Sequence, residues 1–274
     1  MFNIKPISFI HLGFVAIANV WLLGSVYSAD EKDPPFHGTI FPESGIITEA
    51  DPSDFIDLNP SGQGMRRMYD RRSGWIHRKV WLFEANYHGG RSVEVQVNPE
   101  FETQDEAQTQ ARRFARVIGR LPRCLRTELK SVWIHKGNKP FGGGNNNLLI
   151  HTGQAEDYIR SGILEETLVH EACHTSLDGN HSKAEKWLAA QKMDPRFIST
   201  YARDNPLRED IAESFLPYMA TQFSPTRVSH EYTGKVVDSI PARIDYFDSL
   251  KLDLAPWFSA KEKPESVTDQ NGSQ

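Results

Sequence analysis

Within Leu168-Val169-His170-Glu171-Ala172-Cys173-His174-Thr175, two histidines stand four residues apart, and a glutamate directly follows the first. In an α-helix a four-residue step turns by about 40° and rises by about 6 Å, so His170 and His174 project their imidazoles side by side from one face. Such a pair can grip a metal ion. Glu171 falls about 60° round the helix from His174. That is too far off the ligand axis to share the metal, but near enough to touch a water held on it, which suits a general base.

Tetrahedral catalytic zinc takes three protein ligands and leaves a fourth position for water, so a third ligand must come from elsewhere in the chain. Downstream, Asn205-Pro206-Leu207-Arg208-Glu209-Asp210-Ile211-Ala212-Glu213 suggests a second helix, with Asn205 as N-cap and Pro206 in the first turn. Glu209 and Glu213 repeat the four-residue spacing and share one face.

A helix with His-Glu-x-x-His, followed by one with Glu-x-x-x-Glu, resembles the gluzincin branch of the zincin metallopeptidases. The local pattern is similar to the catalytic domain of anthrax lethal factor and to the Pro-Pro endopeptidases. Over residues 170–215, where the match is tight, the resemblance implies metal ligands His170, His174 and Glu209. It also implies Glu213 as a buttress behind one histidine and Tyr201 as the electrophile that helps polarise the scissile carbonyl. Tyr201 stands eight residues before Glu209, one more than the family spacing.

A His-Glu-x-x-His pattern arises by chance in a chain of this length about once in a hundred sequences, and it must also lie on a helix to act. Ser161 is expected to cap that helix, Glu165 and Glu166 supply an acidic first turn, and Leu164, Leu168 and Ala172 form an apolar stripe. Among rival ligands, His181 comes seven residues after His174, whereas metzincins place theirs six after. His135 and His151 end two short strands, where a histidine is usually an ordinary surface residue.

Other elements must position this helix. Val80-Trp81-Leu82-Phe83 and Val93-Glu94-Val95-Gln96-Val97 are expected to pair as a hairpin across Tyr87-His88-Gly89-Gly90. Thr103 and Glu106 form a capping box for an amphipathic helix with apolar Ala107, Ala111, Phe114, Ala115, Ile118 and Leu121. Two strands follow, 131–135 and 147–151, separated by Gly142-Gly143-Gly144. That glycine run lacks the lysine and helix start of a phosphate loop. The resemblance makes the second of these strands a sheet edge to which an extended substrate adds. Further helices are expected from a capping box at Ser182 and Glu185, from Asp194-Pro195, and from Ile240-Pro241, with Pro217 kinking or ending the Glu209 helix.

The chain opens with one lysine and a long apolar run, Ile7 to Leu23, that ends in small residues, which is the layout of a signal peptide over 1–28. Its removal leaves about 246 residues. These divide into an irregular, Pro- and Gly-rich extension over 29–75, a catalytic domain over 76–258 and a polar tail over 259–274. Arg66, Arg67, Arg71 and Arg72 are expected to form a solvated basic face. The net charge of −5 carries no signature of nucleic-acid binding, and no membrane span is expected once the signal is cleaved. The two cysteines invite pairing in a secreted chain, and in zincins the helices they would fasten pack together, so Cys124 and Cys173 are a candidate disulfide.

The expected fold class is α+β: a zincin-like metallopeptidase fold with a small mixed sheet, an upstream helix, a metal-binding helix and a helical C-terminal lobe. The expected function is that of a secreted (extracellular or periplasmic) zinc-dependent metallopeptidase acting on a peptide or protein. The alternatives are a zinc hydrolase of a non-peptide amide and an inactive secreted binding module on the same fold. These part on metal content and on turnover.

Overall fold

Six strands form one mixed sheet in the order β1-β2-β3-β4-β6-β5 in a computed structural model that describes residues 33–39, 45–90 and 92–258. The fold is α+β, with ten α-helices among the described residues. The leader expected at 1–28 and the tail at 259–274 lie outside them.

β1 (Phe55–Asp70) and β2 (Gly74–Tyr87) form a long antiparallel ribbon closed by a tight turn. This corrects the irregular layer expected over 29–75, which loses its second half to strand. The cause is visible along β1, where only Leu58, Met68 and Asp70 are buried. With both faces mostly wet, the strand shows no in-out alternation to read, and Pro60 fits its place on a sheet edge. β2 pairs antiparallel with β3 (Val93–Val97), as the hairpin expectation required.

α1 (Gln104–Ile118) begins where the capping box places it, with the Thr103 hydroxyl accepting the Glu106 N–H at 3.2 Å. The Glu106 carboxylate reaches back one residue further than the motif requires, to the N–H of Glu102. Ala107, Ala111, Phe114, Ala115 and Ile118 are all fully buried, with Leu121 just beyond the helix, so this face lies on the sheet through one contiguous core. On the other side of the sheet, Met68, Val80 and Leu82 form a small separate cluster edged by Ile76 and Trp133.

After the short α2 (Arg123–Arg126), β4 (Ser131–His135) runs parallel to β3, and β6 (Asn147–His151) runs parallel to β4. Between them the chain swings outward as β5 (Gly142–Gly144), antiparallel to β6. The sheet edge is therefore the glycine run itself, not the 147–151 strand expected there. A Cβ on Gly143 would overlap the carbonyl oxygen of Glu171, so only glycine lets this strand lie against the histidine helix.

α3 (Thr152–Arg160), which the sequence reading did not anticipate, leads into α4 (Leu164–Ser176). Ser161 ends α3 instead of capping α4, whose N-cap is Ile163 without a side-chain bond. α4 is buried nearly all round, as befits a central helix packed on β5, β6 and α8. α5 (Asp178–His181) and α6 (Glu185–Met193) follow, the latter capped at Ala184 because the Ser182 hydroxyl is turned to the carbonyl of Asp178.

α7 (Thr200–Asp204) and α8 (Asp210–Phe223) replace a single helix start at Asn205, which instead terminates α7. Pro217 lies inside α8, which continues to Phe223 and is neither ended nor preceded by a break at that residue. α9 (His230–Ser239) and α10 (Pro241–Leu250) complete the C-terminal lobe, with Pro241 in the first turn as expected. Tyr246, Phe247 and Trp257 are core residues there.

Candidate metal centre

α4 and the start of α8 pack face to face, bringing His170, His174 and Glu209 together. Nε2 of His174 lies 3.2 Å from Oε2 of Glu209 and 3.3 Å from Nε2 of His170, and His170 Nε2 lies 3.4 Å from the same oxygen. Three ligand atoms in a triangle with sides near 3.3 Å form one face of a tetrahedron whose centre is about 2.0 Å from each, which is the zinc–nitrogen and zinc–oxygen bond length. The donor set thus fits a tetrahedral cation with one position left open. Among the described residues no other three His, Cys, Asp or Glu side chains converge in this way.

The outer nitrogens fix the rings. His174 Nδ1 is 2.7 Å from Oδ2 of Asp178, one turn further along the chain, and His170 Nδ1 is 3.5 Å from Oε1 of Glu213. Glu213 is in turn held by the hydroxyl of Ser199, fully buried, which donates to its Oε2 at 2.7 Å. The same Ser199 oxygen accepts the Ala202 N–H as the N-cap of α7. One serine therefore couples the buttress behind His170 to the helix that carries Tyr201. Tyr201 stands near the Glu209 carboxylate, and burial together with that neighbouring charge raises the phenol above its usual range.

Asp178 and Ser199 were absent from the expected site. Asp178 carried a readable signal, since it stands four residues after His174 and thus on the same face. Ser199 carried none, because its partner is fourteen residues away in sequence.

The electrostatics favour a cation. Burial alone would raise the Glu209 carboxyl, yet hydrogen bonds from His170 and His174 and their charge hold it well below the usual carboxylate range. Burial opposes protonation of His174, but Asp178 and Glu209 overcome it and push that imidazole up to about 10. The carboxylates of Glu209 and Asp178 that raise His174 would present the same negative potential to a metal ion.

The rivals fall away on geometry. His181 Nδ1 is 2.7 Å from the Tyr246 hydroxyl and takes no part in the cluster. His135 and His151 are not surface residues: both are fully buried and stacked 5.3 Å apart, beside Asp70 at 3.7 and 3.8 Å. Burial holds His135 down to about 4. They belong to the anchor of the β1–β2 turn, whose side chains fold over the strand ends. Cys124 and Cys173 are free thiols, so the candidate bridge is not formed, although α2 and α4 do pack together. Burial pushes the Cys124 thiol up to about 12 and Cys173 well above the ordinary thiol range.

The edge strand completes the site. The Gly144 N–H donates to the Thr175 hydroxyl at 2.9 Å, and that hydroxyl donates to the carbonyl of Asn147 at 2.8 Å, pinning β5 and β6 to α4. At Gly143 the strand lies directly against the backbone of Glu171.

Compared with known proteins, the chain matches no family model, no curated protein and no solved structure.

Proposed function

We propose that this protein is a secreted zinc-dependent metallopeptidase of the gluzincin type, hydrolysing peptide bonds. The observation that carries this reading is the 3.2–3.4 Å triangle of His170, His174 and Glu209 with Glu171 on the adjoining helix face. Secretion rests on the apolar leader sequence alone. When bound, the metal would supply a Lewis acid that polarises the attacking water and the scissile carbonyl.

The chain's own groups perform the rest. Glu171 takes the proton from the attacking water and later delivers it to the leaving amine. Tyr201 donates its hydroxyl to the oxygen on which charge develops. Asp178 and Glu213 keep the two imidazoles turned toward the metal through their outer nitrogens. An extended substrate adds to the free edge of β5, where backbone pairing holds it across Glu171.

The test is turnover of a mixed-sequence fluorogenic peptide library by the zinc-loaded protein beside Glu171→Gln. The expected result is cleavage that falls by at least about 10³-fold in the variant while its zinc content stays at the native level. Cleavage confined to non-peptide amides would overturn the substrate class. Full zinc with no turnover of either would favour a binding module.

A further inference from the structure

We propose that Arg71 is a specificity determinant of this site, a cation placed on the edge strand to receive a carboxylate of the substrate. The inference rests on the peptidase reading and adds a substrate class to it.

Arg71 occupies the tip of the β1–β2 ribbon, which is clamped over the ends of β4 and β6. Asp70, buried and beside His135 and His151, is held by Arg72 through Nε–Oδ1 and Nη2–Oδ2 contacts of 3.0 and 2.7 Å. Arg72 also binds Glu100 at 2.9 Å. From this fixed turn Arg71 extends to β5, where Nη2 donates to the carbonyl of Phe141 at 2.6 Å. A Cβ on Gly142 would stand 3.1 Å from the same nitrogen, and the next residue, Gly143, lies on the backbone of Glu171. Successive strand residues turn to opposite faces, so Arg71 lies against the face of β5 that turns away from α4, where alternate side chains of a strand added at this edge would meet it. Tyr158, whose ring packs 5.0 Å from that of Phe141, feels both charges: burial raises its phenol first, Glu171 raises it further, and Arg71 lowers it.

The basic cluster is solvent-exposed at Arg67, Arg71 and Arg72, as expected of a solvated face, but most of it also has partners. Arg66 forms a two-point pair with Glu94, Arg67 stands 4.3 Å over the ring of Trp75, and Arg72 holds Asp70 and Glu100. Arg71 meets the neutral carbonyl of Phe141 and, like Arg67, forms no ion pair among the described residues, but only Arg71 of the two reaches β5. An exposed guanidinium with donors left over, on the strand where a peptide would pair, matches the two-oxygen geometry of a carboxylate. That carboxylate could be a Glu or Asp side chain or a free C-terminus.

The experiment scans glutamate, glutamine and lysine through each position flanking the scissile bond of one fluorogenic peptide, in C-terminally amidated and free-acid forms. Cleavage is measured with the zinc-loaded protein, Arg71→Gln, Arg71→Glu and, as a control elsewhere on the ribbon, Arg67→Gln. Fluorescence polarisation with Glu171→Gln reads binding of the same peptides without turnover. The expected result is one position, or the free C-terminus, at which the carboxylate raises kcat/KM and affinity about ten-fold or more. That preference should vanish in Arg71→Gln, persist in Arg67→Gln, and turn into a lysine preference in Arg71→Glu at native zinc content. Cleavage without any carboxylate preference, or a preference untouched by Arg71→Gln, overturns the inference and leaves the peptidase reading standing. Absence of both cleavage and binding removes the two together.

Discussion

Each imidazole of the candidate centre is fixed by a carboxylate on its outer nitrogen, and these partners should matter almost as much as the ligands. Asp178→Ala removes the 2.7 Å contact to His174 Nδ1 and should weaken zinc binding by about 10- to 100-fold, read by competition with a chromophoric chelator. Unchanged affinity would mean that His174 is oriented by packing alone. Tyr201 stands near the Glu209 carboxylate, and the oxyanion-donor role proposed for it would act in the transition state. Tyr201→Phe should therefore keep zinc and fold while lowering kcat by about 10²–10³. Native kcat in that variant, beside an inactive Glu171→Gln, would take the tyrosine out of the mechanism. At this scale the sequence was informative where the logic is local. His170, Glu171 and His174 follow from helix spacing alone, and so in principle does Asp178. Ser199 was invisible because its role depends on how α7 and α8 pack.

Elements were legible when their burial alternates or their caps are local, as in β2, β3 and α1, and illegible when tertiary contact decides. β1 is a strand although most of its side chains are wet. β5 is a strand made of three glycines, of which Gly143 is dictated by its close approach to the Glu171 backbone and Gly144 by its positive φ. A strap before β1 is fastened to α4 by Glu166, fully buried, which accepts the Ile47 N–H at 3.0 Å. Burial pushes this carboxyl from 4.5 up to about 7 despite that bond. Between those values the unfolded chain releases a proton that the folded chain retains, so this group's contribution is fully present below pH 4.5 and is lost as pH rises through 7. The loss is about 3 kcal/mol. Urea midpoints of the protein and of Glu166→Gln should therefore converge or cross between these pH values, with the variant gaining relative stability at the upper end. Parallel pH profiles would show that Glu166 ionises normally in the fold.

For the whole molecule, the sheet and the C-terminal helices serve to hold two helix faces together. α4 is fixed by β5, β6 and α2 on the sheet side, and α8 closes on its other side from the C-terminal lobe. The buried triad of Arg243 with Asp194 and Asp210, at 2.8 and 2.9 Å, ties α10 to the first turn of α8 next to Glu209. Leaving any of these charges unpaired there would be costly, so the lobe keeps Glu209 in register with the two histidines. The most direct test of the account is metal analysis of the purified protein after zinc loading and gel filtration, with Glu209→Ala and His181→Ala measured in parallel. The account predicts one zinc per chain in the native protein and in His181→Ala, and a substoichiometric level in Glu209→Ala. Full zinc in Glu209→Ala together with its loss in His181→Ala would contradict the assignment of the centre.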